Sequence, residues 1–219
     1  MDSPQIVGIG GFPNEVMCEY VFGLARGRKV LFVGTASMED PSFAVSMYES
    51  LRPHGEVSFL RFNPWPPEDL RGFTLSHDVI FVGGGNTANM LAVWRVHGFD
   101  RILREAWESG IVLTGWSAGM ICWFEAAVTD SFGPQLEGMR DGLAFLPGSA
   151  CPHYDGEERR RPVYQGLVAE GFPPGLALDD AAAARFVGTE LREVVATTPD
   201  ARGYRVAAGG EEPLGTRQL

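Results

Sequence analysis

The stretch "IVLTGWSAGMICWF", residues 111–124, decides how the rest is read. An apolar run, Ile111-Val112-Leu113, meets Gly115-Trp116-Ser117-Ala118-Gly119, and a second apolar stretch follows at once. Gly-x-Ser-x-Gly at a strand-to-helix seam is the pattern of a nucleophile elbow. The turn is so tight that its flanking residues must be nearly free of side chain, and the Ser hydroxyl is thrust above the sheet. The Ala118 N–H would then point into the same space at a helix start, where it can stabilise an oxyanion. A tight turn without chemistry is the plainer alternative.

Working outward, "QIVGIGG" (5–11) and "HDVIFVGGGN" (77–86) read as buried strands, "KVLFVGTAS" (29–37) as a β-rich run, and "EVSFLRF" (56–62) and 111–114 as strands. Helices are expected at 14–26 with Asn14 as N-cap, at 41–53, over "TANMLAVWRVHG" and "FDRILREAWESG", and from the elbow to about Ala127. Apolar strands alternating with helices imply an α/β fold with a mostly parallel sheet covered on both faces. After residue 130 the pattern loosens, with strand-like runs near 174–178, 184–188, 192–197 and 203–207. No repeat or linker divides the chain, so residues 1–219 are expected to form one domain.

Composition narrows the function. Apolar residues make up 45%, charged residues 21%, and the net charge is -10, an ordinary globular balance. Nucleic-acid binding would need a basic stripe, and the main basic cluster is Arg159-Arg160-Arg161. No segment approaches the ~20 apolar residues of a membrane span. The N-terminus has no secretory pattern, and Cys18, Cys122 and Cys151 form neither a metal motif nor a disulfide frame. The expectation is a cytoplasmic protein with no cofactor, no metal, no nucleic-acid partner and no membrane partner.

A Ser nucleophile needs a base. Of the four histidines, His54 and His97 sit near helix ends and His77 just precedes a strand. His153, in "SACPHYDGEERRRP", stands in a polar loop past the sheet and is the best-placed candidate. An acid to orient it can come from Asp179 or Asp180 in "GLALDDAAAARF". The order Ser, His, Asp differs from the Ser, acid, His order of α/β-hydrolases. A second oxyanion donor fits Gly84-Gly85 in "VGGGNT", where the spacing of a dinucleotide loop fails.

"FVGGGNT", then "GWSAGM", then "PHYD", in this order, resemble peptidase E, the α-aspartyl dipeptidases related to cyanophycinase. The resemblance runs from about residue 29 to the end. It implies a three-layer αβα sandwich of the class I glutaminase-like kind and a cofactor-independent serine peptidase acting on Asp-X dipeptides. It implies Ser117 as nucleophile, His153 as base and Asp180 as acid, although the best-known members carry Glu at that position. "GEER" (156–159) places Arg159 on the arginine that would bind the substrate carboxylate, with Arg160 and Arg161 solvated or paired to Glu157 and Glu158. Asn86 and Asp130 are expected to line the substrate site, and a homodimer is the assembly considered. Rival readings are a cyanophycinase-like β-aspartyl exopeptidase, an amidotransferase (disfavoured because that class uses Cys at the elbow), and a non-catalytic binding module. Stretches 36–43 and 127–140 are candidate lids.

Overall fold

The computed structural model describes residues 3–219. The first half alternates strands and helices: β1 (Gln5–Ile9), α1 (Glu15–Phe22), β2 (Lys29–Val33), α2 (Pro41–Leu51), β3 (Glu56–Leu60), α3 (Leu70–Leu75), β4 (Val79–Val82), α4 (Thr87–His97), α5 (Phe99–Glu108), β5 (Val112–Trp116) and α6 (Ala118–Ile121). The second half is richer in strands: β6 (Phe124–Thr129), β7 (Glu137–Met139), β8 (Leu146–Cys151), α7 (Arg160–Ala169), β9 (Gly175–Leu178), β10 (Ala182–Val187), β11 (Glu190–Ala196), β12 (Gly203–Ala207), β13 (Gly210–Pro213) and β14 (Thr216–Gln218).

The strands form two sheets. One runs β14-β11-β10-β1-β5-β4-β2-β3, and the other runs β13-β12-β9-β8-β6-β7. From β1 through β5, β4, β2 and β3 every pairing is parallel, while β10 joins β1 and β11 antiparallel. Side-chain alternation explains the continuous apolar runs. Val7, Ile9, Phe32, Phe81 and Trp116 point to one face with α1 and α2, while Ile6, Leu31, Ile80, Val82 and Leu113 point to the other with α4 and α5. Both faces are covered, giving the three-layer α/β sandwich. α7 buries Tyr164 and Val168 against Ala126, Val128 and Cys151 of the second sheet.

Two expectations fail locally. The elbow helix stops at Ile121, and residues 124–129 are a strand. The carbonyls that a longer helix would use are taken from afar: Cys122 O accepts the Leu143 N–H (2.9 Å) and Trp123 O accepts the Phe145 N–H (2.8 Å). The arginine-rich stretch, read as loop, instead opens α7. Pro162 is tolerated there because an N–H in the first turn has no intrahelical acceptor anyway.

Candidate active site

Ser117 follows β5 directly and has φ 53°, ψ -114°, a strained conformation for a residue with a side chain. The surroundings enforce it. A Cβ on Gly115 would lie 2.5 Å from Val82 O, and one on Gly119 only 2.2 Å from the same carbonyl. The β4 backbone thus fills the inside of the turn, and only glycine fits on either side. The Ser117 side chain makes no capping bond to α6. With four residues, α6 offers its first N–H groups rather than a long macrodipole.

The end of β1 ties the Ser, His and acid segments together. The Ser117 N–H donates to Ile9 O (3.2 Å), the His153 N–H donates to Gly10 O (3.3 Å), and the Gly11 N–H donates to Asp180 O (2.9 Å). His153 stands at φ 52°, and its Nδ1 lies 2.5 Å from Asp180 Oδ1. Side chains on Gly11 or Gly156 could not coexist with this carboxylate: their Cβ atoms would fall 2.5 Å from Asp180 Oδ1 and 2.1 Å from Oδ2. Asp155 completes the clasp, its Oδ1 accepting the Asp180 N–H at 2.8 Å. The sequence reading missed Gly10, Gly11, Asp155 and Gly156. The glycines ending "QIVGIGG" carry a signal, since a strand that stops in glycines allows another segment to approach its backbone closely.

Asp179 faces the other way. It is 2% exposed, its Oδ2 accepts the Arg202 N–H (2.8 Å), and its Oδ1 is buried without a hydrogen-bond partner. Burial pushes its carboxyl up to about 6. Asp180 is therefore the carboxylate set against His153.

Of the glycines expected to serve the oxyanion, Gly84 abuts the nucleophile: a Cβ there would stand 3.3 Å from Ser117 Cβ and 2.8 Å from Trp116 Nε1. Gly85 has φ 132° and is packed against Ala36 O, which also accepts the Asn86 N–H (2.9 Å). Asn86 is engaged structurally. Its Oδ1 caps α4 at the Asn89 N–H, and its Nδ2 donates to Ser131 O, both at 2.9 Å. Asp130 lies exposed at the end of β6. Arg159 donates to Gln135 Oε1 and Pro134 O, both at 3.1 Å. The loop 130–136 thus bridges from the glycine loop, through Asn86, to the histidine loop, through Arg159. Arg160 does pair with Glu157, yet it is buried rather than solvated. Arg161 pairs with Glu211, across the second sheet, rather than with Glu157 or Glu158.

An aromatic group floors the other side. Trp116 packs against Phe32 (6.2 Å between ring centres), Phe43 (5.7 Å) and Phe12 (5.2 Å), the last of which is 52% exposed beside Gly11. The stretch 36–43 is pinned: Glu39 accepts the Phe62 N–H (2.5 Å) and the Asn63 N–H (3.2 Å). Among the described residues, no helix is long and apolar enough to cross a membrane.

Comparison with known proteins places the chain in a family. The model of peptidase family S51 matches residues 14–194. The chain is 41% identical over 214 residues to the uncharacterized peptidase YgaJ of Bacillus subtilis, covering 94% of this chain and 92% of the relative. It is 30% identical over 136 residues to peptidase E of Shewanella denitrificans, 58% of each chain. A peptidase from an acI-B1 Actinobacterium superposes with a TM-score of 0.67 over 98% of this chain and 95% of that one. At 17% identity that likeness speaks to the fold alone. The chain belongs to peptidase family S51, the peptidase E family, and is a peptidase of a serine-peptidase class.

Proposed function

We propose that this protein is a serine dipeptidase that releases an N-terminal aspartate from Asp-X dipeptides. The observation that carries the reading is the 2.5 Å contact of His153 Nδ1 with Asp180 Oδ1, on a loop laced through Ile9-Gly10-Gly11 to Ser117. In this reading Asp180 holds the Nδ1 proton and leaves Nε2 free as general base. His153 takes the Ser117 proton as the hydroxyl attacks the carbonyl following Asp. The N–H groups of Ala118 and of Gly84-Gly85 receive the oxyanion. His153 then protonates the leaving amine, and afterwards activates the water that releases aspartate from Ser117.

Arg159 is assigned to the substrate β-carboxylate. Arg160 and Arg161 are already neutralised by Glu157 and Glu211, whereas the hydrogen bonds of Arg159 go to a carbonyl and a carboxamide. A carboxylate displaces such neutral acceptors because charge-assisted bidentate bonds are about twice as strong. In a chain of net charge -10, a cation whose hydrogen bonds go to neutral groups is what an acidic substrate requires. In this reading the loop 130–136, held to Asn86 and Arg159, limits the site to short peptides.

The test is a hydrolysis series of Asp-X, Asn-X, Glu-X and β-Asp-X. Asp-X should be preferred. Arg159→Ala should lower kcat/KM for Asp-X by roughly 10–100-fold and for Asn-X far less, as expected for a lost charged contact. Equal losses on both would remove Arg159 from the pocket. Preference for β-Asp-X would move the protein to the cyanophycinase-like reading.

A further inference from the structure

Four residues beyond His153, the Glu157 backbone N–H donates to His153 O at 3.1 Å. The Glu157 carboxylate is gripped by Arg160, Nε to Oε2 at 2.8 Å and one terminal nitrogen to Oε1 at 3.3 Å. The other terminal nitrogen of Arg160 donates to Val128 O at 3.2 Å, fastening the guanidinium to β6. The exposure is lopsided: the Arg160 side chain is 4% exposed and the Glu157 side chain 48%.

That asymmetry calls for a cause. Arginine usually buries its stem and leaves its head in water. Here the head is buried, at a desolvation cost, to hold a carboxylate that stays half open. A pair serving stability alone gains little from such an arrangement. Each carboxylate oxygen can accept more than one donor, so Glu157 keeps acceptor capacity on its open side. Burial pushes its carboxyl up, but the Arg160 bonds and charge outweigh this, with His153 and Arg159 acting in the same direction, and leave it below the usual range. Glu157 is therefore a fixed anion within electrostatic reach of the catalytic His153 and of Arg159.

An N-terminal residue carries its ammonium one carbon away from the carbonyl that Ser117 attacks. A site that bound only the aspartate side chain would also accept internal Asp-X bonds. We propose that Glu157 binds the free α-ammonium of the substrate and makes cleavage depend on an unblocked N-terminus. This rests on the reading of the site as a Ser117 dipeptidase. Glu157 and Arg159, two residues apart, then supply the two charges complementary to an N-terminal aspartate.

The experiment uses Asp-Leu and Leu-Leu beside their N-acetyl and desamino counterparts, with wild-type, Glu157→Gln and Asp130→Asn proteins. Labelling of Ser117 by a small fluorophosphonate reports on the nucleophile independently of substrate binding. The wild type should favour free amines. Glu157→Gln should cut kcat/KM for free dipeptides by roughly 10–100-fold, mostly in KM, the range expected for one charged hydrogen bond. It should leave the desamino compounds and the labelling rate within about threefold, since Gln keeps an acceptor for Arg160. Equal losses on free and desamino compounds, or a wild type indifferent to acetylation, would overturn the proposal. So would an amine preference erased by Asp130→Asn and kept in Glu157→Gln. If Leu-Leu is cleaved with Glu157-dependent amine preference and Asp-Leu is not, the aspartate specificity falls and the amine anchor stands. If neither is cleaved although Ser117 is labelled, both fall.

Discussion

At the turn after β9 the chain sets two carboxylates side by side, Asp179 and Asp180, and their different surroundings have measurable consequences. Asp180 lies against His153, and Asp179 is buried with one oxygen unpartnered. The sequence left the choice between them open, because one residue of register at a turn exchanges the two directions. What settles it is the Arg202 N–H reaching Asp179 from the residue just before β12, a partner distant in the chain. The raised carboxyl of Asp179, about 6 in the fold against 3.8 ordinarily, fixes a sign. The folded state holds this proton more tightly than the unfolded one. The group's contribution therefore becomes less favourable as pH rises from about 4 to about 6, and stays so above. Asp179→Asn should raise unfolding stability at pH 7.5 by about 1–3 kcal/mol, and the gain should fade toward pH 4. Urea unfolding of both proteins at the two pH values measures it. A difference independent of pH would count against the burial argument.

Among the elements, the strands were the most legible. Runs such as "KVLFV" and "VIFV" feed two cores at once, so they are apolar without a break. The elbow was legible for the same reason: Gly115 and Gly119 bracket a residue that the strand end forces into φ 53°. The extent of the helix after it was not legible, because Cys122 and Trp123 give their carbonyls to Leu143 and Phe145, far along the chain. α7 hid in a charged stretch because one of its arginines is buried against Glu157, which no periodicity reveals. The elbow geometry can be challenged directly. In Gly119→Ala, the new methyl group meets the Val82 carbonyl, a backbone group of a central strand that cannot swing aside. Destabilisation of at least about 1–3 kcal/mol is expected from overpacking, together with loss of turnover. A variant as stable and active as the wild type would mean that the β4 carbonyl does not fill this turn.

For the whole molecule, the candidate site is assembled from strand ends that meet beside one strand, β1. β1 lies between β5, which brings Ser117, and β10, which follows the turn holding Asp180. The three histidines set aside stay away from it: His54 stacks on Phe22, His77 bonds Phe73 O, and His97 packs on Phe62. The second sheet was only partly legible, since β7 and β8 lack a clean alternation and depend on pairing with β6. Yet it is this sheet that carries His153 past the end of β8, and its loop 130–136 ties Asn86 to Arg159. The central claim is that Ser117 is the nucleophile at this meeting point. The most direct measurement compares Asp-X hydrolysis by wild-type and Ser117→Ala proteins of matched circular dichroism and melting temperature. The expected result is a loss of kcat by at least about 10⁴-fold with the fold intact, as for other nucleophiles removed from such a triad. Turnover by Ser117→Ala within tenfold of wild type would contradict it.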